Sequence, residues 1–193
     1  MPPEQQAERA ATRGKVPVRD LRAPAGGVLV VPMSREEFDA LPEMRHTEWW
    51  DDACVVTGTT RRHGKAVSVL TAMLMAVLDS GNFEVMTGVG WRLPDAEFVP
   101  DLAVVAAAPD AQALFEPPLL LIEVLSPSTR HVDLRRKREL YAAGGLPWYW
   151  VVDLVNNELV VLRNDDGTFV EVQRLTSGTT VGPVEITVTV ADL

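Results

Sequence analysis

The stretch Leu119-Leu120-Leu121-Ile122-Glu123-Val124-Leu125-Ser126-Pro127-Ser128 decides the fold. Up to Leu125 every residue but one is aliphatic, with none of the polar alternation of a half-solvated strand, so the run reads as a strand buried on both faces. Glu123 is the exception, and it needs compensation. A lone ionised carboxylate among aliphatic side chains is heavily penalised, so it must pair with a cation, bind a metal or take up a proton. The plain alternative is a glutamate at a strand end that touches solvent or an arginine.

Working outward, a helix is expected from about Ser128 to Ala143, ended by Gly144-Gly145. On the N-terminal side, Phe83 to Thr87, Trp91 to Leu93 and Leu102 to Ala106 are short apolar or β-branched runs bounded by Gly, Pro or Asp; Trp148 to Asp153, Glu158 to Leu162 and Phe169 to Val172 resume that character. All of these predict strands. Val67, Leu70, Leu74, Val77 and Leu78 stand at helical spacing within a helix from about Arg62 to Leu78, which Gly81 should stop. Ser34 with Glu37 three residues later fits a capping box for a short helix from Arg35 to Leu41, ended by Pro42. Glu48 to Trp50 and Cys54 to Thr57 about Asp51-Asp52 suggest a hairpin. The expected fold class is α/β: a mixed sheet flanked by two main helices, with an N-terminal helix and hairpin. No internal repeat is visible.

The length of 193 residues and 47% hydrophobic content predict one compact domain. Residues 1–27 mix Pro, Gly, Ala, Gln and charges, with five Lys/Arg against three Asp/Glu, and read as a flexible, mildly basic tail before a domain at 28–193. Cys54 is the sole cysteine and no secretory leader is seen, which points to a cytoplasmic location. The most apolar helical stretch, Val67 to Leu78, is about half of the roughly 20 residues a bilayer requires, so no membrane partner is expected. A net charge of -9 argues against broad attraction to nucleic acid. Metal-binding carboxylates inflate that figure, however, and the distribution of charge matters more than its sum.

Asp101 follows Pro100 and opens the Leu102 to Ala106 strand, where an acid can simply stabilise a turn. If that strand neighbours the Glu123 strand, the two acids meet at one end of the sheet in an oxygen-rich site suited to magnesium. Asp133, Lys137 and Tyr141 are four residues apart in succession and share one face of a helix. That spacing also fits an ordinary surface ion pair. The helix begins so soon after Glu123, though, that its inner face can return over the strand end and bring a lysine to the carboxylates.

Pro100-Asp101, Glu123-Val124-Leu125-Ser126-Pro127-Ser128-Thr129, Asp133, Lys137, Tyr141 and Trp148-Tyr149-Trp150-Val151-Val152-Asp153, together with Glu48 and His63, form an ordered series. It resembles the Uma-two family of bacterial endonucleases, within the PD-(D/E)xK, or restriction-endonuclease-like, superfamily, from about Arg35 to the C-terminus. The parent superfamily places its lysine two residues after the acid, where this chain has Leu125; in the Uma-two pattern the following helix supplies it, here as Lys137.

The resemblance implies a Mg2+-dependent endonuclease, with Mn2+ as a substitute, acting on DNA. Asp101, Glu123 and the Val124 carbonyl would hold the metal, and Lys137 would orient the attacking water or accept its proton. Supporting roles fall to Glu48 in the carboxylate cluster, Asp133 beside Lys137, His63 near substrate or metal or, more simply, as a polar residue at the helix start, and Tyr141 toward a phosphate or, more simply, as half-buried packing. Cutting two strands favours a homodimer. Cys54 and three scattered His residues give no zinc motif, and Gly88-Val89-Gly90 lacks the context of a nucleotide-binding turn. Trp148, Tyr149 and Trp150 could stack on bases, but core packing or subunit contact is the better expectation. The competing class is a catalytically inactive module that keeps this fold to bind nucleic acid or protein.

Overall fold

A computed structural model describes residues 27–41, 47–107, 114, 116–125, 130 and 133–193, the side chains of Asp133 and Leu134 excepted. The expected tail at 1–27 apart from Gly27, the expected helix start at Ser128, Pro42, His46 and His131 lie outside the described residues.

The chain opens with β1 (Val28–Pro32), α1 (Arg35–Asp39) and the hairpin β2 (Thr47–Trp50) and β3 (Ala53–Thr57), followed by the long helix α2 (Arg61–Val77). Next come β4 (Phe83–Met86), β5 (Trp91–Leu93), β6 (Ala96–Phe98), β7 (Leu102–Ala106) and β8 (Leu120–Val124). A π-helical turn, Asp133–Lys137, runs into α3 (Arg138–Ala143). The chain closes with β9 (Trp148–Asp153), β10 (Glu158–Asp165), β11 (Thr168–Leu175), β12 (Ser177–Thr179), β13 (Thr187–Thr189) and a final 3-10 turn.

Six strands form the main sheet in the order β11-β10-β9-β8-β7-β4. Only β8 and β9 run parallel, because the segment ending in α3 carries the chain back across the sheet between them. A second sheet, β1-β3-β2-β6-β5, is antiparallel throughout, and β12 and β13 form a small ribbon.

All five residues of β8 are buried, as an uninterrupted aliphatic run requires when both faces are covered. Leu120, Ile122 and Val124 face one core, filled by Ala66, Leu70 and Leu74 of α2 and by Val184, Ile186, Val188 and Val190 from the C-terminal end. Leu121 and Leu125 face the other, with Trp91 and Phe98 of the second sheet and Tyr141 and Ala142 of α3. Fully burying each large aliphatic side chain contributes about 1.5–3 kcal/mol, so this central strand is the natural anchor of the fold. Glu123 shares the second face.

The local signals are met at several ends. Ser34 and Glu37 make the reciprocal capping box at α1. Asp51 and Asp52 turn the β2–β3 hairpin with φ of 51° and 54°, the double left-handed geometry of a type I′ turn. After α3, the Leu146 N–H donates to Tyr141 O at 3.0 Å and the Gly145 N–H to Ala142 O at 3.1 Å, a Schellman closure with Gly145 at φ +83°. Gly144 is fixed by space instead: a Cβ there would stand 2.7 Å from Leu93 Cδ2.

Three expectations need correction. α2 has the expected extent to within a residue, but Gly81 does not stop it: Leu78 is already extended, and Gly81 donates its N–H to the Asp79 carboxylate in the following turn. The expected continuous second helix is π-helical through Asp133–Lys137 before it becomes α-helical. β1, β6, β12 and β13 were not anticipated: β6 is too short to show a period, and β1 is an edge strand whose Val28 and Val30 stay exposed and whose Pro32 an edge tolerates. No described helix is long and apolar enough to cross a membrane.

Candidate functional site

The β7–β8 ladder pairs Leu102 with Ile122, so Asp101, one residue before β7, stands opposite Glu123 at the next register position. Opposed residues of an antiparallel pair project from the same face. The two acids are joined further through the backbone, since the Val124 N–H donates to Asp101 Oδ2 at 2.7 Å. The other Asp101 oxygen, Oδ1, lies 3.0 Å from His63 Nε2, in the first turn of α2, where Thr60 caps the helix by accepting the His63 N–H.

Lys137 arrives from the opposite side of the sheet. Its Nζ is 3.1 Å from Glu123 Oε1 and 2.9 Å from Glu48 Oε1, with all three side chains about 5% exposed. It also lies 5.8 Å from the Phe98 ring centroid, within cation–π reach. Glu48 Oε1 accepts a second bond, from the Val99 N–H at 3.1 Å, which ties β2 to the end of β6. Tyr141 donates its hydroxyl to Glu123 Oε1 at 2.9 Å, so the lysine and the tyrosine, four residues apart, converge on one carboxylate oxygen. π turns are rare and recur at functional sites; this one ends on Lys137.

Around the polar atoms the walls are aromatic. Tyr141 is fully buried, its ring 5.4 Å from Trp91 and edge-on to Phe98 and Tyr149. Burial first, and then the negative charge of Glu123, push the Tyr141 phenol well above its ordinary value. It is a permanent donor here. The expected half-buried tyrosine, or one reaching a phosphate, is corrected on this point: the ring packs completely and the hydroxyl is committed to Glu123.

Of the residues singled out in the sequence, Glu48, His63, Asp101, Glu123, Lys137 and Tyr141 come together. Val124 takes part through its N–H. The Asp133 side chain lies outside the described residues; its backbone begins the π turn. Tyr149 and Trp150 are fully buried and belong to the two cores. Sequence reasoning missed Arg130, which hydrogen-bonds Asp153 at the end of β9. Burial raises the Asp153 carboxyl, but the bonds from Arg130 and from the Asn156 N–H outweigh it and hold the group below its ordinary value. It also missed Phe98, and the apolar Phe98-Val99 pair before Pro100-Asp101 was the available signal.

The cluster sets three carboxylates, Glu48, Asp101 and Glu123, against one ammonium and one imidazole. A divalent cation would offset that excess of negative charge. Among the described residues no group of three or more His, Cys, Asp and Glu forms a cage for a metal. Two acids with oxygen donors, one of them (Asp101) 18% exposed, instead fit magnesium, which binds through one or two carboxylates and keeps its waters.

Comparison with known proteins agrees with this architecture. The chain is similar to a crystal structure from Anabaena variabilis titled as "a putative nuclease belonging to DUF820", with a TM-score of 0.68 at 18% identity, covering 83% of this chain and 97% of that one. At that identity the likeness speaks for the fold. No curated protein matches. Residues 35–191 match the model of the Uma2 family, described as "Putative restriction endonuclease", and that span contains every member of the cluster from Glu48 to Tyr141. A match over so much of the chain makes this protein a member of the Uma2 family.

Proposed function

We propose that the chain is a metal-dependent endonuclease that hydrolyses phosphodiester bonds of DNA at the Asp101, Glu123 and Lys137 centre. The observation that carries the reading is the convergence of Lys137 and Tyr141 on Glu123, directly across the ladder from Asp101. Lys137 is the cation that pairs both buried glutamates. Taking its charge and those of two glutamates out of water costs several kcal/mol per ion, which points to a use other than stability.

Asp101, Glu123 and the Val124 carbonyl are the groups proposed to hold Mg2+, with Mn2+ as a substitute. The cation supplies Lewis acidity toward a phosphate oxygen and toward the attacking water. Lys137, as a charged donor between two carboxylates, orients the water and offsets negative charge that gathers on the phosphate oxygens in the transition state. Glu48 and Tyr141 hold Lys137 and Glu123 in register, and His63 holds Asp101. In-line attack by that water forms a new P–O bond as the bond to the leaving oxygen breaks, with the water's proton passing to solvent and the leaving oxygen taking one up from it. A homodimer would present two such centres to the two strands.

The low exposure of Lys137 favours the rival reading, a nuclease fold retained for binding alone. Plasmid and linear DNA incubated with Mg2+, Mn2+ or chelator separate the two. The expected result is metal-dependent cutting by the unaltered chain and none by a folded Glu123→Gln variant. Equal cutting by both would remove Glu123 from the mechanism, and no cutting under any metal would favour the binding module.

A further inference from the structure

Resting on the nuclease reading, we infer that two outward-facing arginine pairs, Arg61-Arg62 and Arg135-Arg136, grip the phosphate backbone of a DNA duplex on either side of the Asp101–Glu123 strand end. The observation behind this is where the positive charge lies in an acidic chain. Residues 130–138 hold five of the 18 Lys/Arg and a single acid, although the chain as a whole carries -9. Three of these five are committed inward or along the sheet: Arg130 to Asp153, Lys137 to the two glutamates, and Arg138 to the Phe169 carbonyl. Arg135 is exposed, and Arg136 is 41% exposed with its guanidinium on Asp51 at the tip of the β2–β3 hairpin.

The second pair begins the helix that packs on the other face of the sheet. Arg61 and Arg62 are exposed in the first turn of α2, immediately before His63, which contacts Asp101. Among the described residues Arg61 and Arg135 have no hydrogen-bond or ion-pair partner, and Arg62 has only a 3.4 Å contact to Asn157. Because α2 packs on one face of the main sheet and α3 on the other, the pairs reach the strand end from opposite faces. Each pair is adjacent in sequence to a residue that touches one of the two acids: Lys137 for Glu123, His63 for Asp101.

A phosphodiester backbone fits this arrangement. It needs cations at intervals along its path and no deep pocket, and arginine binds phosphate through a planar fork of donors. The Arg136–Asp51 pair then acts as a competitor. It is exposed on both sides, so it holds weakly, and a phosphate can take the place of the carboxylate. This distribution also removes the conflict between net charge and substrate, since the acids do not need to be far away, only outside the path between the pairs.

The test is fluorescence anisotropy of a labelled DNA duplex with the full chain in chelator, which prevents cutting, across a salt series. The unaltered chain is expected to bind with a steep salt dependence. Arg135→Gln/Arg136→Gln and Arg61→Gln/Arg62→Gln should each weaken binding about tenfold at low salt and flatten the log–log slope by roughly 2, one per lost phosphate contact. The matching lysine variants should keep the slope, and Asp51→Asn should tighten binding by freeing Arg136. Arg61, Arg62 and Arg135 are exposed and Arg136 is 41% exposed with its Nε buried, so an unchanged melting profile verifies the fold. If the unaltered chain binds and either glutamine pair leaves affinity and slope unchanged, the two-sided grip is overturned while the nuclease reading stands. If the unaltered chain does not bind DNA at low salt, both fall.

Discussion

The two faces of β8 belong to one strand and carry opposite designs. Leu120, Ile122 and Val124 meet α2 and the C-terminal end in a wholly aliphatic and aromatic layer. Leu121, Glu123 and Leu125 meet α3 and the second sheet, where a buried carboxylate shares its oxygen with a lysine and a tyrosine. The first face stabilises in proportion to the area it removes from water. On the second, three buried charges recover through mutual contacts part of what their desolvation costs. The contrast teaches that the strand is held in place by one face so that the other can carry groups a core would not otherwise keep.

The comparison is tested most severely by Lys137→Met, which keeps the volume and removes the cation between Glu48 and Glu123. Stability should fall by about 3–5 kcal/mol, and DNA cutting should disappear. Adding Glu48→Gln and Glu123→Gln to that variant should restore stability to the original level or above it while the chain stays inactive. Chemical denaturation reads both. A triple variant as unstable as the single one would mean that the charges stabilise the fold.

On the aliphatic face, Ile122→Ala should cost about 2–4 kcal/mol through lost burial and the cavity left behind. Cutting per folded molecule should be kept. If cutting fell in proportion to that instability even where the chain is fully folded, the two faces would not be separable as described. Tyr141→Phe is milder, removing one hydrogen bond to Glu123 and leaving the ring packing, at a cost of about 1–3 kcal/mol.

The smallest effect is expected away from both cores, at Asp153. The folded state holds this carboxyl below its ordinary value, so its contribution is present above the unfolded carboxyl range, near pH 4. It is lost as pH falls through the lower folded value. Asp153→Asn should therefore be less stable than the unaltered chain at neutral pH, and the gap should close on acidification. A gap that widened toward low pH would reverse the sign of the assignment.

The legible parts of this fold were those with long or strongly periodic signals. The Leu119 to Leu125 run, the α2 stripe of Leu70 and Leu74 and the Ser34–Glu37 box are each made by residues only a few positions apart in sequence, so local pattern sufficed. Glu123 was visible because a carboxylate contradicts its surroundings. Glu48 was marked only by the family resemblance and not by its own surroundings, because its meaning depends on contacts with Lys137, 89 residues away in sequence, and with the Val99 amide at the end of a three-residue strand. The π turn left no mark either, since the Asp133, Lys137 and Tyr141 spacing reads equally well as plain α-helix. That Tyr141 would be wholly buried follows from the second sheet closing over α3, a tertiary event that its neighbours do not encode.

The central claim is that Asp101 and Glu123 jointly present oxygen ligands to one small hard cation. Crystals of the full chain soaked in Mn2+ test it directly through anomalous scattering. The account predicts a peak at coordination distance, about 2.0–2.2 Å, from a carboxylate oxygen of each. A well-occupied peak elsewhere, with these two acids still engaged only by His63, Val124, Lys137 and Tyr141, would contradict it.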